Sequence, residues 1–248
     1  MKQTNHAQSL SMGMLLLGGG ASAARGLYYL LGTEQEGLLR RGHPCAVVLG
    51  ILCVAAVVAA LLQLFGKPGS GKWEDTFTPG KRSALGCAIM AFCIAQTVVS
   101  GNGTARGNLA LLWEISGLLA AAGLLWAAFS QSKGKKPFLP VYALVCSFLA
   151  LHMVSRYQVW SGDPQVMDWV FSLLATVGLT LCAYQLAALC ADLGHRRIFL
   201  AESGLTVFFC CAALPGNDAL WLYLGGLVWM FTALWSVTPV LPAGQEEG

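Results

Sequence analysis

Charged side chains are scarce in this sequence: Asp, Glu, Lys and Arg make up 11% of its 248 residues, whereas soluble domains carry roughly a quarter. Hydrophobic residues make up 56%. A water-soluble fold of this length could not bury so much apolar surface, so the composition excludes an ordinary soluble domain. The formal net charge is only +3, and the basic residues lie mainly in short loops. Lipid headgroups account for such loops, and nucleic acid is not expected as a partner.

Motifs of catalysis and metal binding are also missing. The sequence contains no His-Glu-x-x-His, no Gly-x-Ser-x-Gly and no paired-aspartate motif. Its nine cysteines form no Cys-x-x-Cys pair and lie in or beside apolar segments, which predicts packing residues rather than disulfides or metal ligands. Residues 66–73 fit the phosphate-loop spacing until Trp73, which replaces the hydroxyl residue that would hold magnesium. We therefore expect no cofactor, no metal and no bound nucleotide.

Apolar runs long enough to cross a bilayer, about 20 residues each, fill most of the chain. Eight can be drawn, at residues 10–32, 44–65, 83–101, 108–129, 138–158, 166–190, 198–215 and 219–241. All nine prolines lie at or between the ends of these runs. Tryptophans and tyrosines near the ends, Trp73 and Trp113 among them, are expected to anchor at the headgroup level. The sequence thus predicts an all-α integral membrane protein: one domain over residues 1–248, a polytopic bundle of about eight transmembrane helices.

The distribution of basic residues predicts the orientation. Ten lysines and arginines would share the face of the N-terminus and four would lie opposite, which places both termini in the cytoplasm. The protein would then reside in the plasma membrane or a bacterial inner membrane. Ala21-Ser22-Ala23 resembles a signal cleavage site, which leaves open whether residues 1–23 are removed. Uncleaved, the glycine-rich first helix is expected to pack closely on a neighbour, as are the alanines of the second helix.

Ionisable side chains inside the spans are few and costly in hydrocarbon, so they indicate either helix-locking pairs or a polar pocket. Most of them fall at similar depth in the outer half of the bundle. Glu202 lies apart, near the opposite end, where an ion pair with the basic turn at residues 195–197 is expected. We expect the outer group to face inward with at least one arginine–carboxylate contact, and as a hypothesis to bind a ligand. The proposed ligand-binding residues are Arg25, Tyr29, Glu114, His152, Arg156 and Asp168.

Three classes of function remain open from the sequence alone. The favoured one is binding or transport of a small, anionic solute through an outer polar pocket. The second is a structural, sensory or accessory subunit of a membrane assembly, in which the charged groups only hold helices together and the partner is another membrane protein. The third is an intramembrane enzyme, whose acid and base could only be Glu114, His152 and Asp168. A water-accessible path would distinguish the first class from the second.

Overall fold

The structure is a computed structural model that describes residues 6–31, 43–65, 71–78, 80–101, 108–160, 166–216 and 219–238. This part of the chain contains nine helices and, outside them, an isolated antiparallel bridge between Phe77 and Val237. The helices are α1 (His6–Leu31), α2 (Pro44–Leu64), α3 (Trp73–Thr76), α4 (Lys81–Val99), α5 (Asn108–Ser132), α6 (Leu139–Trp160), α7 (Val166–Cys190), α8 (Arg196–Ala213) and α9 (Leu220–Trp235).

Each of the eight apolar runs coincides with one long helix, and only the four-residue α3 was not expected from the sequence. Five helices, α2 and α4 to α7, are long and apolar enough to cross a bilayer. Helix α8 carries Arg196, Arg197 and Glu202, and α9 is apolar but has only 16 residues. The fold is therefore α-helical and of the membrane type.

Six of the helices form a closed ring. Each helix from α4 to α9 packs against the next, and α9 returns to pack against α4. Glycines allow the close approach: a methyl group at Gly86 would collide with Thr232, and one at Gly225 would lie 2.6 Å from the Cβ of Cys93. The ring interior is filled by fully buried residues such as Ile94 and Phe148.

Helices α1 and α2 lie outside the ring. Helix α1 packs mainly along α8, and α2 packs on α1 and α8. The expected role of the glycine-rich first helix is confirmed at Gly18, where a Cβ would lie 2.7 Å from that of Cys211. On α2, Ala56 and Ala60 are buried at 0% and 1% exposure, as the small-residue spacing indicated.

Residues 71–78, here called the cap, fold over one end of the ring. The Trp73 indole stacks on Tyr142 with ring centroids 6.3 Å apart, and Phe77 meets Phe199 edge-on at 5.2 Å. The expectation that Trp73 anchors at the headgroup level is wrong, because its side chain is only 4% exposed. Residues 66–70 of the phosphate-loop-like stretch lie outside the described residues.

Main-chain and ionic contacts hold the cap in place. The Thr78 N–H donates to the Ser236 carbonyl at 2.8 Å, and the Trp73 N–H donates to Asp192 Oδ1 at 3.3 Å. Lys136 Nζ lies 2.9 Å from both carboxylate oxygens of Asp192. The hydrogen bond from Lys136, followed by that from the Trp73 amide, holds the pKa of Asp192 below its ordinary value.

Candidate functional site

Three polar side chains share one buried face of α6. His152, Ser155 and Arg156 stand at helical positions i, i+3 and i+4, which places them on the same side of the helix. Their exposed fractions are 0%, 0% and 6%. We call these three residues the donor cluster, because each presents hydrogen-bond donors to the interior.

The protonation of His152 follows from its neighbour on α5. The Trp113 indole N–H donates to His152 Nδ1 at 3.3 Å, and a neutral imidazole whose Nδ1 accepts carries its proton on Nε2. The Nε2 atom is buried and has no hydrogen-bond partner. Trp113 is 1% exposed, so the expectation that it anchors at the headgroup level is wrong: its ring supports the histidine.

Ser155 presents a second unmatched donor. Its Oγ atom is buried without a hydrogen-bond partner. Several other hydroxyl groups of the described helices bond back along their own helix, as Thr176 does to the Ser172 carbonyl at 2.8 Å. A buried hydroxyl without a partner costs roughly 1–3 kcal/mol of folding free energy. Binding of a group that places an acceptor atom at this hydroxyl would therefore be favourable.

Polar groups from α7 and α9 complete the same region. The hydroxyls of Thr176 and Tyr223 lie 3.2 Å apart, and both residues are fully buried. Arg156 lies close enough to interact electrostatically with both Tyr223 and His152. The ring interior therefore gathers polar side chains from α6, α7 and α9 around one guanidinium group.

A second guanidinium enters from α1. Arg25 is 1% exposed, and its Nη1 donates to the Ala212 carbonyl of α8 at 2.8 Å. Its Nη2 donates to the Tyr29 hydroxyl at 2.9 Å, and its Cζ lies 5.2 Å from the centroid of the Phe171 ring. Arg25 thus joins α1 to α8 and reaches Phe171 of α7, the helix that carries Ser172 and Thr176.

The predicted site residues have different outcomes. Arg25, His152 and Arg156 face inward, and Tyr29 touches Arg25. Glu114 is exposed on the outside of α5, so the expectation that it lies on an inner face is wrong. Its neighbour Trp113 takes the inward position because the two are 100° apart around the helix. Asp168 lies on α7, but its side chain is outside the described part, so the arginine–carboxylate contact stays a prediction.

A small cavity beneath the cap was not foreseen from the sequence. Gln131 Nε2 donates to the Tyr142 hydroxyl at 3.1 Å, while Gln131 Oε1 and the Trp73 indole nitrogen are buried without partners. Both residues line a cavity of about 10 Å³, with Cys87 in its wall, which has room for one water molecule. Gln131 lies beyond the end of the apolar run drawn at residues 108–129, so its burial could not be predicted from that run.

Glu202 does not form the ion pair expected with the basic turn. Its Oε2 atom is buried and has no hydrogen-bond partner. The two arginines of that turn are directed elsewhere, Arg196 to the Thr238 carbonyl and Arg197 to the Leu64 carbonyl. They secure the ends of α9 and α2 respectively.

Within the described residues, no three His, Cys, Asp or Glu side chains converge to hold a metal ion. The chain matches no protein-family model, no curated protein and no solved structure.

Proposed function

We propose that the chain is a multi-pass protein of the plasma membrane or a bacterial inner membrane that binds or transports a small anionic solute. The solute would occupy the donor cluster and take hydrogen bonds from it. The observation that carries the proposal is the pair of unmatched polar atoms, His152 Nε2 and Ser155 Oγ, on the same helix face as a buried arginine.

The proposal includes eight crossings with both termini in the cytoplasm. Helices α8 and α9 belong to the same ring as four of the five apolar candidate spans, which supports a common orientation across the bilayer. At 1.5 Å per residue, the 26 residues of α1 extend about 39 Å, more than the roughly 30 Å hydrocarbon core. The ten-to-four division of basic residues supports the orientation.

The chemistry of the donor cluster favours an anion. His152 Nε2–H, the Ser155 hydroxyl and the Arg156 guanidinium all donate, and charge-assisted hydrogen bonds to a carboxylate or phosphate are about twice as strong as neutral ones. An anionic group would satisfy the two unmatched atoms together. The guanidinium is better suited to this task than an ammonium because its planar fork binds two oxygens at once.

One observation favours the second class of function, an accessory or structural subunit. Arg25 joins α1 to α8 through the Ala212 carbonyl and the Tyr29 hydroxyl, which is the contact expected of a residue that locks helices together. Of the acid and base residues named for the enzyme class, Glu114 is exposed on the outside of α5, away from the buried His152.

The test is ligand binding by the purified chain in detergent. Small carboxylates, phosphate and sulfate are compared with neutral analogues by thermal unfolding, and any anion that stabilises the protein is measured by calorimetry. Ser155→Ala should lower the affinity for that anion about tenfold, because it removes a neutral hydrogen bond. Arg156→Lys should lower the affinity tenfold or more, because it removes a bidentate charged hydrogen bond. Ser147→Ala, at an exposed position of α6, and Arg82→Lys are the matched controls.

The outcomes separate the two classes of function. Anion binding that falls in the donor-cluster variants but not in the controls supports solute binding. A chain that no anion stabilises, or whose anion affinity is the same in all four variants, contradicts it and leaves the accessory role.

A further inference from the structure

A groove lies between α1 and α2, outside the ring. It has a volume of about 290 Å³ and is lined by Ser9, Leu10, Gly13, Met14, Leu17, Ala59 and Gln63. Its polar residues, Ser9 and Gln63, lie together at one end, where α1 begins and α2 ends. The rest of the lining is apolar or glycine. The groove therefore has one polar end and one apolar end.

A cationic side chain lies beyond the polar end. Arg197 Nη1 donates to the carbonyl of Leu64, the neighbour of Gln63, at 3.4 Å, and its Nε atom is buried without a partner. Leu10 packs beside Gly204 on α8, because a Cβ atom added to Gly204 would lie 3.6 Å from Leu10 Cδ2. Gly204 and Arg197 are seven residues apart on α8, a backbone rise of about 10 Å, and the Arg197 side chain reaches the residue next to Gln63, so the guanidinium lies beside the polar end of the groove.

We propose that the groove and Arg197 bind one anionic phospholipid, with an acyl chain in the groove and the phosphate at the guanidinium. The inference rests on the part of the proposed function that places α1 and α2 in the bilayer, and it does not depend on the solute site in the ring. Arginines near the membrane surface attract anionic lipids in the same way.

The dimensions of the groove suit a single extended acyl chain. Ser9 to Leu17 extends about 12 Å along α1, and the groove has a volume of about 290 Å³. Gly13 lines the groove, and an added Cβ there would meet nothing within 4 Å, so the position accepts a side chain without a clash at its first atom.

The number of lipids bound to the full chain is measured by native mass spectrometry after the protein is released from mild detergent. Phosphatidylglycerol and phosphatidylcholine with identical acyl chains are titrated separately. Gly13→Leu fills the groove, and Gly19→Leu is its control, because Gly19 is an exposed glycine of the same helix with equally open surroundings. Arg197→Gln removes the charge, and Lys133→Gln removes another cation, beside the end of α5, a helix that packs on α4 and α6. Ala59→Leu fills the groove from α2 if Gly13→Leu does not fold.

We expect one phosphatidylglycerol molecule to bind more tightly than phosphatidylcholine. Filling the groove should weaken both lipids about tenfold, since buried methylene contacts are lost. Arg197→Gln should weaken phosphatidylglycerol alone, by about fivefold. Equal affinity for the two lipids, or unchanged affinity when the groove is filled from α1 or from α2, would overturn the proposal. Loss of anion binding in the ring leaves these results unchanged, whereas recovery of the chain from the soluble fraction would contradict both proposals.

Discussion

A buried hydroxyl stabilises a fold when it has a partner and destabilises it when it has none. The ring interior contains both kinds on neighbouring helices. Thr176 bonds to the Ser172 carbonyl and lies 3.2 Å from the Tyr223 hydroxyl, whereas Ser155 Oγ is unmatched. The contrast lets the proposed binding role of Ser155 be separated from a role in folding.

Without ligand, Ser155→Ala is expected to leave the free energy of unfolding unchanged or to raise it by up to about 1 kcal/mol, because it removes an unsatisfied buried group. Thr176→Val should lower it by about 1 kcal/mol, since the Tyr223 hydroxyl loses a partner. Unfolding in mixed micelles measures both. A Ser155→Ala variant that is less stable than Thr176→Val would show that the serine hydroxyl has a structural partner.

The wrong assignments of Trp113 and Glu114 share one cause. Side chains one position apart on a helix point in directions 100° apart, so an error of one residue in the choice of inward face exchanges Trp113 for Glu114. The apolar pattern could not resolve this, because α5 is hydrophobic on every side. On α6, by contrast, the i, i+4 spacing of His152 and Arg156 predicted their shared face correctly.

At the scale of elements, the cap is the feature that was not predicted from the sequence. Residues 71–78 combine glycine, charge and aromatic side chains, a composition typical of an exposed loop. Burial of Trp73 and Phe77 depends instead on a surface formed by the ends of several helices that are distant in sequence, including Tyr142 and Phe199. Local composition carries no information about such a surface.

Removal of the Trp73 side chain should open the cavity beneath the cap. In a chain whose only cysteine is Cys87, Trp73→Ala is expected to raise the rate of thiol labelling at least about tenfold, because loss of a buried tryptophan removes roughly 3 kcal/mol or more of local stability. Trp126→Ala, at an exposed site on α5, is the control. Equal labelling rates in the two variants would show that Trp73 does not close the cavity.

The contact between Lys136 and Asp192 predicts a pH dependence of the same labelling. Because the pKa of Asp192 is lowered in the folded state, its contribution to cap closure is present above its unfolded pKa, about 4, and is lost as the pH falls through the folded value. With a disulfide reagent that reacts in acid, Cys87 labelling should accelerate relative to a free thiol as the pH drops below about 4. In Asp192→Asn, Cys87 should be labelled rapidly at every pH. If labelling of this variant depends on pH as it does in the unaltered chain, the carboxylate has no role in closing the cap.

At the scale of the whole molecule, the sequence predicted the long helices well and their arrangement not at all. The length of an apolar run indicates where a long helix can form, and each of the eight apolar runs coincides with a helix in the structure. Closure of α4 to α9 into a ring depends on close contacts such as Gly86 against Thr232 and Gly178 against Thr206, which link distant segments. Neither apolar content nor charge distribution encodes such pairings.

The orientation of the bundle decides whether the donor cluster belongs to the outer half of the membrane. Ser100 follows α4 and Ser132 ends α5, two helices that pack together as a hairpin, so the two serines lie at opposite ends of the bundle. Both are exposed and suit replacement by a single cysteine in a cysteine-free chain. Labelling of right-side-out vesicles with an impermeant maleimide is the most direct test. Ser100→Cys should react in intact vesicles and Ser132→Cys only after permeabilisation; reaction of Ser132→Cys in intact vesicles would contradict the proposed topology.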